Sequence, residues 1–323
     1  MATSEQLKYL IESHFQQDEE RFTTTALQVA AHEARLGHSQ VANEIRTLID
    51  RRRSARAKVV PFRPELGELV LVEVDLEQRL PDLVASTTMR QRIARILNEF
   101  RQQAKLREHG LENRRKLLLC GPPGTGKTMT ASVLAGELGL PLLVILMDKL
   151  TTKFMGETSA KLRQVFDNLG STQGVYLFDE FDAIGAERSR ENDVGEIRRV
   201  LNAFLQLIEH DRSTSLIIAA TNNQRILDPA LFRRFDDVIS FHLPDRDEIV
   251  TLLVNRLGRF GGPRITLNKV ADAASGLSHA EISLAVNDAI KDAILANRKQ
   301  VVQKTLIAML QERRSAQQRV AAP

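Results

Sequence analysis

Eight consecutive residues, Gly121-Pro122-Pro123-Gly124-Thr125-Gly126-Lys127-Thr128, satisfy the spacing G-x-x-x-x-G-K-[ST] at every position. Glycines in this pattern let the backbone curl until several N–H groups aim at one anion. A helix that starts at the end of such a loop adds its positive pole. A lysine in the seventh place reaches β- and γ-phosphate oxygens, and a hydroxyl in the eighth can hold Mg²⁺. The chemistry on offer is therefore the binding of ATP or another nucleoside triphosphate, with Met129 joining the contacts just beyond the loop.

Three later segments could act on what that loop holds. Val175-Tyr176-Leu177-Phe178 is an apolar run that ends in Asp179-Glu180. At a strand end Asp179 can serve the metal while Glu180 polarises an attacking water. Leu216 to Thr221 is a second apolar run, and it ends in Asn222, placed to reach the γ-phosphate or that water. Leu231-Phe232-Arg233-Arg234-Phe235-Asp236 sets two cations between aromatics. Either arginine could be a finger offered to the γ-phosphate in a neighbouring subunit.

The elements that must position these groups follow from periodicity. Strands are predicted at 69–74, 116–120, 142–146, 175–179, 216–221 and 237–241. Between residues 82 and 243 strands alternate with helices, the pattern of a parallel sheet covered on both faces. From Pro244 the pattern is purely helical, with helices at about 245–258, 267–275, 279–297 and 299–313. Residues 1–54 read as a small helical module, in which Asp18, Gly37 and Ser39 mark helix ends. Residues 55–80 form a linker with one short strand, 81–243 the α/β body, 244–314 a helical unit and 315–323 a flexible tail.

Composition narrows the function. The 323 residues carry 45 basic and 41 acidic side chains, too even a balance to argue a polyanionic partner. The basic run Arg51-Arg52-Arg53-Ser54-Ala55-Arg56 reads as a solvated linker. No tryptophan and two tyrosines leave no aromatic platform for bases. A single cysteine excludes an internal disulfide and fits a reducing cytoplasm. No apolar run reaches membrane-spanning length. His32-Glu33-Ala34-Arg35-Leu36 imitates the zinc motif H-E-x-x-H, but the fifth residue is leucine and the next histidine is His38. Two ligands on one helix face need the four-residue spacing, so no zinc site is expected.

On these motifs the chain resembles the AAA+ ATPases over about residues 80–300, in particular the AAA group whose lid lacks the sensor-2 arginine. Thr221-Asn222 stands at that family's sensor-1 position, and Asp228 to Asp236 at its arginine-finger segment. Gly276-Leu277-Ser278-His279-Ala280-Glu281-Ile282 resembles the lid signature, with Ala280 towards the nucleotide. Asp82-Leu83-Val84 resembles the segment whose backbone meets adenine, so Leu83 and Val84 join the nucleotide set. Arg233-Arg234-Phe235 is the compact form found in membrane-remodelling and microtubule-severing branches. Lys153-Phe154-Met155-Gly156 resembles the pore loop of hexameric unfoldases. An apolar pair on a loop is costly to expose unless something binds it.

The resemblance implies an α/β P-loop subdomain with a helical lid and an all-α N-terminal module. It also implies ATP and Mg²⁺ as cofactors, a homo-hexamer, a threaded polypeptide as substrate, and a loop over Glu187–Gly195 lining the channel. Some short bacterial relatives of this shape are encoded beside a subtilisin-like protease, so a separate protease or adaptor is an expected partner. No nucleic acid or membrane is expected. The alternative is an ATPase that handles nucleic acid, helicase- or clamp-loader-like; a small-molecule kinase is a third reading, opposed by the Asp179-Glu180 pair.

Overall fold

Three apolar runs become the middle of one sheet. β2 (Lys116–Cys120), β4 (Val175–Phe178) and β5 (Leu216–Thr221) are almost wholly buried, as strands covered on both faces must be. β1 (Val70–Glu73), β3 (Leu142–Ile145) and β6 (Asp237–Ser240) complete six strands in the order β1-β3-β4-β5-β2-β6. The sequence sets the first strand apart from a parallel sheet. In the structure β1 joins the edge antiparallel to β3, pairing Val70 with Ile145, while the other pairs are parallel.

This computed structural model describes residues 19–35, 38, 41–45, 67, 69–73, 76–150, 157–182, 194–222 and 232–321. They fall into two compact units, Met1–Val60 and Pro61–Pro323. In the first, α1 (Glu19–Arg35) buries Ala26, Val29 and Ala30 along one stripe. A further helical stretch, 41–45, buries Ala42. His38 Nδ1 lies 2.6 Å from Glu33 Oε2, so this histidine is engaged by a carboxylate. Among the described residues no cluster of His, Cys, Asp and Glu could hold a metal. Asp18, Gly37, Ser39 and Arg51–Arg56 lie outside the described residues.

In the second unit, side chains alternate to opposite faces of the sheet with the two-residue period of a strand. Leu118, Tyr176, Phe178, Ile217 and Ala219 face one core. There they meet α6 (Glu157–Ser171) and α7 (Val194–His210), which supply Phe166 and Phe204. Leu117, Leu119, Leu177, Ile218 and Ala220 face the other core. That core is closed by α2 (Thr87–Arg101) and α4 (Lys127–Leu138). Shorter helices, α3 (Gln103–Glu108) and α5 (Met147–Leu150), fill connections. α7 begins at Val194, so Gly195 lies in its first turn instead of ending the preceding loop.

Four helices follow the sheet: α8 (Arg246–Leu257), α9 (Leu267–Ala274), α10 (His279–Leu295) and α11 (Gln303–Ala321). They close a core of their own around Leu253, Val270, Ile282 and Leu306. α11 runs to Ala321, past the end near residue 313 expected from the sequence. Its last turns hold glutamine, arginine and alanine, good helix formers without an apolar stripe to announce them. Among the described residues no helix is long and apolar enough to cross a membrane.

Candidate active site

Strand register decides where the chemistry collects. Cys120 pairs with Thr221, and Phe178 with Ala219, so β2, β4 and β5 stop near one edge. Gly121, Asp179 and Asn222 therefore follow at the carboxyl edge of a parallel sheet, where such sheets bind ligands. Gly121 has φ 149° and faces the Phe241 carbonyl, which any side chain there would strike. Gly124 has φ 71°, and a Cβ on it would lie 2.7 Å from Ser278 Oγ. The loop thus needs glycine at both places, for the backbone angle and for the close neighbour.

Lys127 begins α4 and turns its ammonium into the loop. Nζ donates to Gly121 O at 2.8 Å, Pro122 O at 2.9 Å and Asn222 Oδ1 at 2.8 Å. Burial pulls its pKa below the ordinary lysine value, opposed by the carboxylates of Asp179 and Asp182. The Thr128 hydroxyl donates to Asp179 Oδ2 at 2.7 Å. A hydroxyl and a carboxylate in contact are the hard oxygen donors that Mg²⁺ takes. The loop and this pair fit a triphosphate with its metal. Cys120, just before the loop, packs in the core, and burial raises its thiol pKa to about 11.

Beside that pair the chain turns sharply. Glu180 has φ 51°, uncommon for a residue with a side chain. Its N–H donates to Asp179 Oδ1 at 2.9 Å, and its carboxylate takes no bond from any described residue. What holds the turn is the next residue. Phe181 is fully buried, its N–H donates to Ala220 O at 2.8 Å, and its ring sits 4.6 Å from that of Phe204 on α7. Asp182 then accepts from the Asn222 N–H at 3.3 Å, tying the two strand ends together. Asp182 closes the run Asp179-Glu180-Phe181-Asp182 but has no motif position of its own to single it out in the sequence.

The four-helix unit closes the far side. Ser278 and Glu281 cap α10 reciprocally, with Ser278 N–H donating to Glu281 Oε2 at 2.8 Å. The capped end docks on the loop, where Ala280 N–H donates to Gly124 O at 3.0 Å. Leu83 and Val84 span the junction. Leu83 packs into the sheet core and Val84 into the helical core.

Between these parts lies a cavity of about 390 Å³. Lys127, Thr128, Asp179, Glu180 and Asn222, gathered at the sheet edge, line its phosphate end, and Leu83, Val84 and Ala280, at the junction with the helical unit, line it as well. Pro123, Gly124, Thr125, Gly126 and Met129 line its wall, while Gly121 and Pro122 bear on it through the carbonyls that hold Lys127. The volume suits a nucleotide. Leu252, Arg256, His279 and Ser283 also face it. Only docking of the helical unit brings these four to the site; His279 lies within the lid-like stretch Gly276–Ile282, and no local pattern marks the other three.

Two predicted groups stand apart. Arg233 and Arg234 occupy an exposed turn before β6 and do not line this cavity. Arg234 Nη1 bonds Glu209 Oε1 of α7 at 2.8 Å, whereas Arg233 has no partner among the described residues. The turn is fixed from below. Asp236 Oδ2 accepts from the N–H groups of Arg115 and Lys116, both at 2.9 Å, at the start of β2. Lys153, Phe154, Met155 and Gly156 lie outside the described residues, as does the loop segment 187–193.

Comparison with known proteins agrees with this arrangement. A family model described as "ATPase family associated with various cellular activities (AAA)" matches residues 117–243. The "Uncharacterized AAA family ATPase y4kL" of Sinorhizobium fredii is 34% identical over 99% of both chains. "ATP-dependent zinc metalloprotease FtsH 3" of Sphaerobacter thermophilus is 33% identical over 69% of this chain and 46% of its own length. The FtsH of Acidothermus cellulolyticus is 32% identical over 69% of this chain and 35% of its own. The chain thus spans less than half of either metalloprotease. A triphosphate loop at a parallel sheet edge, a matching family model and an end-to-end relative together make this chain a member of the AAA family of ATPases, which hydrolyse ATP with Mg²⁺.

Proposed function

We propose that the chain is one subunit of a homo-hexameric ring in the cytoplasm that hydrolyses ATP between neighbours and threads polypeptide through its centre. One observation carries the ring. Arg233, exposed and without a partner among the described residues, stands outside the cavity of its own chain. Among the described residues the cavity of one chain has Lys127 and Arg256 as its cations, and a further one would meet the charge that develops on the γ-phosphate. A second copy can supply it.

Each residue then has a task. Thr128 and Asp179 would hold Mg²⁺, which offsets phosphate charge when bound. Lys127 exchanges Asn222 Oδ1 for phosphate oxygens, and the freed amide of Asn222 orients the attacking water. The unengaged Glu180 carboxylate takes a proton from that water. The two arginines divide the work. The Arg234–Glu209 pair is 42% and 47% exposed, so it is worth roughly 0–1 kcal/mol. A finger worth about 10³–10⁵ in rate contributes roughly 4–7 kcal/mol. Arg233 is ready to serve as the finger; Arg234, braced on α7, holds the turn and can be released at little cost.

The polypeptide substrate is inferred from the apolar Phe154-Met155 loop and the similarity to FtsH proteins. Those relatives are named as proteases, but this chain aligns with less than half of them. The residues in hand account for the ATP-driven step, and a protease or adaptor recruited by the helical N-terminal module is the partner this reading expects. Phe154→Ala is the test. Processing of an unfolded protein should fall at least tenfold while ATP turnover stays within about threefold, the pattern of a lost grip. Processing at the parental rate removes the pore reading.

A further inference from the structure

The helical side of the cavity holds a side chain to which no role has been given. His279 is the first residue of α10 and faces the nucleotide cavity next to Ala280. Both its ring nitrogens are buried, and neither has a hydrogen-bond partner among the described residues. A neutral imidazole carries one donor and one acceptor, so two unmet groups are unusual in a folded interior. Burial lowers the pKa of the ring, which leaves it neutral near pH 7. It is therefore unsuited to pair with phosphate and suited to a neutral polar partner.

The place of the ring narrows that partner. Lys127, bonded to Asn222, and Thr128, bonded to Asp179, mark the phosphate end and line this cavity alone, whereas His279 and Val84 also line a second cavity, which puts the ring on the Val84 side. Leu83 has no backbone group to spare: its N–H donates to Leu80 O at 3.3 Å and its carbonyl accepts from Arg90 Nη2 at 2.9 Å. The N–H and carbonyl of Val84 have no partner among the described residues. An N–H and a carbonyl on one residue match the ring nitrogen and amino group on one edge of adenine. His279 lies on the same wall. Together with Val84 and Thr125 it separates the nucleotide cavity from a second one of about 280 Å³. Small shifts of the ring can therefore turn a nitrogen towards either space.

We propose that His279 is a base-reading residue, whose imidazole hydrogen-bonds the purine of bound ATP and adds affinity at the end of the cavity remote from the phosphates. This rests on the cavity being the nucleotide site. The backbone of Val84 engages one edge of the base, and the ring of His279 meets another polar atom of it. In this way the first turn of α10 senses whether a base is present, as well as a phosphate.

The test compares Mg·ATP with Mg·tripolyphosphate, which has no base or ribose, by calorimetric titration. In His279→Phe, which keeps a ring but removes both nitrogens, the ratio of ATP to tripolyphosphate affinity should fall roughly three- to tenfold, the range of one lost hydrogen bond. His279→Ala, which leaves space in place of a ring, should give the same fall if the nitrogens are the cause. An unchanged ratio in either folded variant overturns the proposal, and so does a fall confined to the larger side chain. Lys127→Ala is the separate control and should weaken both ligands. If that variant binds both like the parent, the nucleotide reading of the cavity fails instead.

Discussion

The two ends of the cavity are built on opposite terms. At the phosphate end polar groups already hold one another: Lys127 has three acceptors, Thr128 has Asp179, and Asn222 has Lys127 and Asp182. At the other end the backbone of Val84 and the ring of His279 have no hydrogen-bond partner among the described residues. A ligand entering the first end must break bonds as it makes them. It gains there because ionic phosphate is a better partner for an ammonium than carbonyls and an amide are. At the second end it displaces nothing and gains little per contact. The first end therefore governs turnover, and the second tunes occupancy.

Predictions follow that contrast from the largest effect downwards. Arg233→Ala should lower kcat by about 10³-fold or more, because the phosphate end would lose the cation supplied by a neighbour. Arg234→Ala should cost much less; equal losses would erase the division of labour drawn from the Glu209 pair. Glu180→Gln should lower turnover by roughly 10²–10⁴-fold while the ring still retains ATP, measured as bound nucleotide after gel filtration. Turnover at the parental rate would remove Glu180 from its role. The smallest effect concerns Cys120, one residue before the loop. Its thiol pKa of about 11 and its burial predict no alkylation by iodoacetamide at pH 8 until the protein is unfolded. Labelling of the native protein would show that the phosphate end opens further than its bonding implies.

The phosphate end was also the legible end. Gly121 to Thr128 is contiguous, and Asp179-Glu180 and Asn222 each terminate an apolar run, so local sequence carries nearly all the information about them. Leu117, Leu119, Leu177 and Ile218 likewise announce buried strands by composition alone. The base end was only partly legible. Leu83, Val84 and Ala280 came from resemblance, while His279, Leu252 and Arg256 reach the cavity only when the helical unit docks. His279 sits inside the lid-like stretch Gly276–Ile282, but that resemblance points to Ala280 and not to the imidazole beside it. β1 was found as a strand but not as an antiparallel edge, since four residues do not specify their partner. The end of α11 was missed because its last turns, unlike the stretch that carries Leu306 and Leu310, give no periodic apolar stripe.

The proposed function makes turnover at the phosphate end depend on a cation that one chain offers to the next. The direct measurement mixes two variants, Lys127→Ala, deficient in ATP binding, and Arg233→Ala, deficient in the finger. Each should be nearly inactive alone. Mixed before assembly, they should regain ATPase activity, because a Lys127→Ala subunit can lend its intact Arg233 to the intact nucleotide loop of its neighbour. Co-assembled rings, verified by mass, that stay as inactive as the separate variants would contradict a site shared between subunits.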